Sequence, residues 1–131
     1  MLPDDLHSLI PLAGVLGVEV RRAGPDEVSG TMPWRAELCT SATVLHGGAL
    51  MAFADTLGAV CASLNLPEGA MTTTIESKTN FFRAVTEGVV EGTTRPLHVG
   101  RRTIVVQTDL TRSDGKRVAQ VTQTQAVIIA D

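Results

Sequence analysis

The segment His46-Gly47-Gly48, with Asp55 a few residues on, holds the side chains of this sequence best suited to chemistry. Asp55 is the only formally charged residue between Leu38 and Pro67, in a run of apolar and small residues from Val44 to Ala62. Burying a carboxylate without a partner is costly, so an acid kept in such a setting is a candidate nucleophile or general base. The alternative is an ion pair with an arginine distant in sequence, such as Arg83 or Arg102. Gly47 and Gly48 stand at the head of the same run. If the run is helical, its first N–H groups lack internal acceptors and carry the positive end of the helix dipole. Glycine leaves those groups uncovered, open to an anion or to a carbonyl they would polarise. The pair serves equally well as a tight turn into the helix. His46 is either the cap of that helix or a neighbour of the reacting groups.

The elements that must position these residues follow from periodicity. A helix spans about 47–63 and stops at Asn65, Pro67 and Gly69. Its apolar character on all sides predicts a helix surrounded by its own protein. A membrane span is disfavoured, because an acid at its centre costs about 3 kcal/mol on insertion scales. A short helix is expected at 3–11, strands at 17–24 and 27–34 with a turn at Gly24-Pro25-Asp26-Glu27, and a loop at 35–44. Threonine-rich alternation predicts four further strands, at 71–84, 87–100, 101–115 and 116–130, the last two joined by an Asp114-Gly115 turn. The fold class is therefore α+β, an antiparallel sheet curled around a central helix. Spacing sets a further constraint. Eight residues of helix separate Gly47 from Asp55 by about 12 Å, too far to act on one carbon. Two antiparallel copies of the helix about a two-fold axis would bring the head of one to the acid of the other, so the chemistry implies a homodimer with shared sites.

Composition bounds the rest. The 131 residues suit one domain, 1–131, with a core built from aliphatic side chains, since the aromatics are three Phe and one Trp. A net charge of −3 gives no reason to expect a nucleic-acid partner. Cys39 and Cys61 lack metal-ligand spacing and read as buried free thiols in a reducing, cytoplasmic compartment. The first residues show neither a basic region nor a long apolar run, so no signal peptide is expected.

The stretch "VLHGGALMAFADT", then "TTTIESKTNFFRA", then "HVGRRTIVVQTDLTRSDGKRVAQVTQT", resembles the hotdog-fold acyl-CoA thioesterases, over about residues 17–129. The nearest groups are the phenylacetic-acid-degradation and 4-hydroxybenzoyl-CoA thioesterases. The resemblance implies that Gly47 N–H polarises the thioester carbonyl while Asp55 of the partner chain attacks it or activates water. It implies that Thr73, or alternatively Thr74, helps to position water, and that His46 supports the loop. Gly48 would lie at the substrate. Gly100, Arg101 and Arg102 fall where relatives approach CoA, with Arg83 a further basic candidate. Thr40 stands where relatives carry Asn or Gln. No cofactor or metal is implied, since CoA belongs to the substrate, and neither a membrane nor a nucleic acid is implied as a partner. The assembly would be a dimer or a dimer of dimers. The sequence leaves the acyl group open, aryl or medium-chain aliphatic. Two other readings share the fold, a non-catalytic acyl-CoA binding module and a hydratase or dehydratase.

Overall fold

Six strands form a single antiparallel sheet in the order β1-β2-β4-β5-β6-β3. They are β1 (Glu19–Ala23), β2 (Val28–Pro33), β3 (Ala70–Phe81), β4 (Val89–Val99), β5 (Thr103–Thr111) and β6 (Arg117–Ile129). The computed structural model describes residues 5–129. Helix α3 (Gly47–Ser63) crosses the concave side of the sheet and touches every strand. This is the sheet-wrapped helix of the hotdog fold. Two short helices, α1 (Leu6–Leu9) and α2 (Pro11–Leu16), precede the sheet, and two 3-10 turns (Ala36–Leu38 and Ser41–Thr43) occupy the loop before α3.

The expected helix at 3–11 is broken and extended instead. Pro11 lacks an N–H and forces the preceding residue out of the helical region, so Ile10 takes φ −128° and ψ 86° and α2 restarts at Pro11. Residues 3 and 4 of that expectation lie outside the described residues.

What seats α3 is a hole in the sheet. Gly30 of β2 and Gly92 of β4 are cross-strand partners. A Cβ on Gly92 would lie 2.6 Å from Leu57 Cδ1 and 3.1 Å from Phe53 Cζ, and one on Gly30 would lie 3.0 Å from Leu57 Cδ2. Leu57 and Phe53 are fully buried there, among Val28, Met32, Val90, Ile104, Val106 and Leu110. The helix lies close because two neighbouring strands carry no side chain under it.

The expectation of a helix covered on all sides is overturned. Gly48, Ala52, Asp55, Ala59 and Ser63 form a stripe, three or four residues apart, that is exposed or half-buried. The sheet spans only part of the helix circumference, and this stripe is what it leaves open. Of the two thiols, Cys61 is buried and Cys39 half-buried, and burial pushes the Cys61 thiol up to about 11, with the Asp26 charge adding to it. Among the described residues no helix is long and apolar enough to cross a membrane.

The glycine hole yields a test. Gly92→Val must displace Leu57, and overpacking of this kind destabilises by about 1–3 kcal/mol. Urea unfolding should show that loss, while the exposed Gly69→Ala, whose Cβ meets nothing within 4 Å but whose φ is +79°, should show only the smaller backbone penalty.

Candidate active site

Asp55 sits at the middle of the open stripe, and neutral donors hold it. Thr74 Oγ1 donates to Asp55 Oδ1 at 3.0 Å, and Gln123 Nε2 donates to the same oxygen at 2.8 Å. No ion pair among the described residues involves Asp55. The pairing with Arg83 or Arg102 that the sequence allowed is therefore not made. Arg83 Nη1 donates to the Arg117 carbonyl at 2.9 Å, and Arg102 is exposed at the β4–β5 turn. Behind Thr74 the network continues: Gln125 Nε2 donates to Thr74 Oγ1 at 2.8 Å, and Thr72 Oγ1 lies 3.1 Å from Gln125 Oε1. A cavity of about 230 Å³ lies in front, lined by Met51, Ala52, Asp55, Thr74 and Ser77.

Strand β3 places Thr74 there by its pleat. Thr72 and Thr74 point toward α3, so Thr73 points away and is exposed. Of the two threonines the sequence offered, Thr74 and not Thr73 is the one that meets the acid within the chain. A bulge between Thr74 and Glu76 then shifts the alternation. It turns Ser77 and Thr79, whose buried hydroxyls have no partner among the described residues, toward the helix, and leaves Glu76, Lys78 and Asn80 in solvent. Bulges recur beside functional sites because they re-aim a side chain.

The head of α3 forms a second centre. His46 is its N-cap, and its Nδ1 accepts from Gly48 N–H at 2.7 Å. The neutral ring therefore carries its proton on Nε2. The His46 carbonyl takes the Ala49 and Leu50 N–H groups at 2.9 and 3.2 Å. That leaves Gly47 N–H as the donor of the first turn without an acceptor among the described residues. The Phe81 ring lies against Gly47, with Cζ 3.1 Å from where a Cβ would stand. Beside His46 opens a cavity of about 360 Å³, lined mainly by Leu12, Leu16, Leu38, Cys39, Ala49 and Ala52. Ala52 borders both cavities, so they adjoin across the helix stripe.

The remaining candidates lie apart from these centres within one chain. Thr40 is exposed, and its backbone N–H donates to Val44 while its hydroxyl makes no hydrogen bond among the described residues. Gly100, Arg101 and Arg102 form the turn between β4 and β5, where Gly100 N–H donates to the Thr103 carbonyl at 2.8 Å. Thr103, Ala126 and Thr73 are aligned across β5, β6 and β3, which sets this turn two strands, about 10 Å, from the acid's end of β3. Arg83 adjoins Phe81, Phe82 and Arg117 around an open depression of about 610 Å³. No cluster of three metal-ligating side chains occurs among the described residues. Sequence reasoning missed Gln123 and Gln125. Their signal was available: both continue the inward face of β6 that Ala119 and Val121 begin, where two glutamines must find buried partners.

Residues 42–119 match the family model described as the thioesterase superfamily. The chain is similar to a proofreading thioesterase, EntH, of Cronobacter turicensis, at 38% identity over 87 residues, 66% of this chain and 64% of that protein. It therefore spans slightly under two thirds of that relative. A thioesterase structure from Haemophilus influenzae superposes with a TM-score of 0.91 at 30% identity, over 98% of this chain and 92% of that one. A conserved protein of Pseudomonas aeruginosa superposes with a TM-score of 0.84 at 31% identity, over 89% and 93% of the two chains.

The cap geometry separates two roles for His46. If its part is to cap α3, His46→Ala should cost about 1 kcal/mol and His46→Asn should restore most of it, since Asn is a strong cap. Thermal melts of both variants measure this. Activity lost in the Asn variant despite restored stability would assign the imidazole a chemical part as well.

Proposed function

The chain belongs to the thioesterase superfamily, a family of thioester hydrolases, and on that premise we propose that it cleaves an acyl-CoA thioester to the free acid and CoA through Asp55. The observation that carries this reading is the half-exposed Asp55 carboxylate at the wall of a mainly apolar cavity, with no cation beside it among the described residues and only one of its oxygens occupied by their donors. A carboxylate so placed has a lone pair to offer. Two routes use it. As nucleophile it adds to the thioester carbonyl and expels the CoA thiolate, leaving a mixed anhydride that water hydrolyses. As general base it takes a proton from water while the hydroxide adds, and the CoA thiolate leaves and is protonated.

Either route develops negative charge on the carbonyl oxygen. Gly47 N–H, uncapped at the positive end of α3, is suited to accept it. Since Gly47 and Asp55 are about 12 Å apart on one continuous helix, the donor and the acid of one site come from two chains. Strand β3 supports such pairing. It is an edge strand of 12 residues with Met71 and Ile75 exposed, and an unpaired edge is a template for a second chain. A two-fold axis near Ser77 would set Phe81, and the Gly47 beneath it, opposite the partner's Thr74 and hence near the acid. The dimer so formed can pair again into a dimer of dimers.

The cavity beside His46 is lined mainly by Leu, Ala and Cys side chains, with Glu37 and His46 as its polar members, and adjoins Asp55 across Ala52, which suits an aryl or medium-chain acyl group. The exposed side chains of Arg101 and Arg102, at the acid's end of the sheet, are suited to meet CoA phosphates. The cytoplasm, where acyl-CoA and reduced thiols coexist, is the compartment this reading implies.

Asp55→Ala and Asp55→Asn should remove most turnover on the best of a panel of acyl-CoA thioesters while circular dichroism and a cooperative melt show that the protein still folds. Near wild-type kcat in both would overturn the assignment. The shared site is tested by mixing Asp55→Ala with Gly47→Pro, whose ring the first helical turn tolerates. Loss of one oxyanion donor lowers kcat by roughly 10²–10³. Random re-association should return about a quarter of wild-type activity, because half the dimers then carry one whole site. Heterodimers verified by native mass spectrometry that stay inactive would refute a site built from two chains.

For the nucleotide, Arg101→Ala with Arg102→Ala should raise KM for CoA thioesters by roughly 10-fold or more, the scale of a lost charge-assisted contact. A short pantetheine thioester should be little affected. If Arg83→Ala alone has that effect, the phosphates lie over the Phe81 depression instead.

A further inference from the structure

We propose that Gln123, seated on the bare helix backbone at Gly58, is the positioning residue that fixes which oxygen of Asp55 reacts. The inference rests on the thioesterase reading of Asp55. Gln123 is fully buried, and its Nε2 reaches Asp55 Oδ1 at 2.8 Å, across 68 residues of sequence. Its Oε1 is buried without a partner among the described residues. An amide chooses its orientation by its partners, and here only the carboxylate supplies one. Turning the amide over would bring Oε1 against the carboxylate and remove the one hydrogen bond that the amide makes among the described residues. The orphaned oxygen is the cost of aiming Nε2 at Asp55, and a buried polar group left partly unsatisfied beside reacting atoms calls for a functional reason.

Gly58 makes that seat. A Cβ at Gly58 would lie 2.2 Å from Gln123 Oε1, 2.5 Å from its Cδ and 2.9 Å from its Nε2. The whole amide therefore lies flat against the helix, one turn beyond Asp55, and any side chain at position 58 would push it away. A glycine in a helix interior is otherwise unfavourable.

The second donor to Asp55 is fixed in direction as well. Thr74 has one hydroxyl proton, and its oxygen already accepts from Gln125 Nε2 at 2.8 Å. Its proton therefore goes to Asp55 Oδ1. Thr74 is a positioning residue for the acid rather than a donor to water. Both donations end on Oδ1, so Oδ2 is the oxygen left to meet the carbonyl carbon or the water.

The test compares Gln123→Met, which keeps the volume and removes the donor, with Gln123→Ala, Gly58→Ala, Asp55→Asn, and Gly58→Ala combined with Gln123→Ala. Circular dichroism and melting establish that each is folded, and kcat and KM are measured on the best acyl-CoA substrate. Gln123→Met should lower kcat roughly 10- to 100-fold, the scale of a hydrogen bond to a charged group, with KM unchanged. Gly58→Ala should do the same in the wild-type chain yet add no further loss of kcat to Gln123→Ala, because the glycine acts through the amide. If Asp55→Asn is inactive while Gln123→Met keeps kcat within about twofold, Asp55 reacts without this positioning and the proposal fails. If Gly58→Ala lowers kcat equally with and without the glutamine, the seat is not what the glycine provides, and the proposal fails on that ground. If Asp55→Asn itself remains active, the thioesterase reading of Asp55 fails first. Should Gln123→Met not fold, Gln123→Glu, of the same shape, carries the test: a second carboxylate against the first must lower kcat, and unchanged kcat overturns the proposal.

Discussion

The roll of α3 about its own axis decides what this molecule can present to a substrate, and two glycines set that roll. Gly30 and Gly92 pair across β2 and β4 and open a hole into which Leu57 and Phe53 descend. Once those two side chains are seated, the direction of every other residue on the helix follows from its 100° steps. Asp55 comes out two positions from each, at the border of the sheet, and Ala52 and Ala59 flank it with the smallest side chains that keep a helix stable. A helix turned by one residue would bury the carboxylate under the sheet or send it fully into solvent.

A carboxylate in that border position needs donors, and the sheet offers neutral ones. A guanidinium would orient it firmly, but an opposite charge favours the ionised form and so reduces basicity. Hydroxyl and amide dipoles orient a carboxylate with less of that effect. The arrangement is extended by Gln125, whose Nε2 donates to Thr74 Oγ1, and by Thr72, whose hydroxyl lies 3.1 Å from Gln125 Oε1 and 2.8 Å from the Ala126 carbonyl. Each added partner narrows the orientations open to the next.

The sequence made the fold legible where local signals agree with the tertiary outcome. The helix at 47–63 coincides with α3, and the strands agree to within a few residues, because strong apolar and alternating periods met clear stops such as Asn65, whose side chain bonds back to the Cys61 carbonyl at 2.9 Å. Asp55, Gly47 and His46 were legible because unusual residue types stood in an apolar run. The choice between Thr73 and Thr74 stayed open because a threonine triplet gives no phase of its own. The bulge after Thr74 is what reconciles inward Thr72 and Thr74 with outward Glu76 and Lys78. Gln123 and Gln125 were passed over because glutamine in a strand looks like surface until a partner across the sheet is known. The open stripe on α3 was invisible for a different reason: alanines and glycines read as buried whether or not anything covers them.

The pairing of β3 with β6 also fixes when the site can exist during synthesis. Strand β3 has no other neighbour in its sheet than β6, and its register there joins Thr74 to Gln125, 51 residues later. Asp55 waits longer still, for a residue 68 positions ahead. A nascent chain that has already wound α3 therefore carries an unoriented acid until the last strand emerges and closes the sheet, and closures over such spans are slow. On the proposed reading of Asp55, alignment of the acid is in this sense the final event of folding: the carboxylate acquires its Gln123 donor only when the sheet is finished.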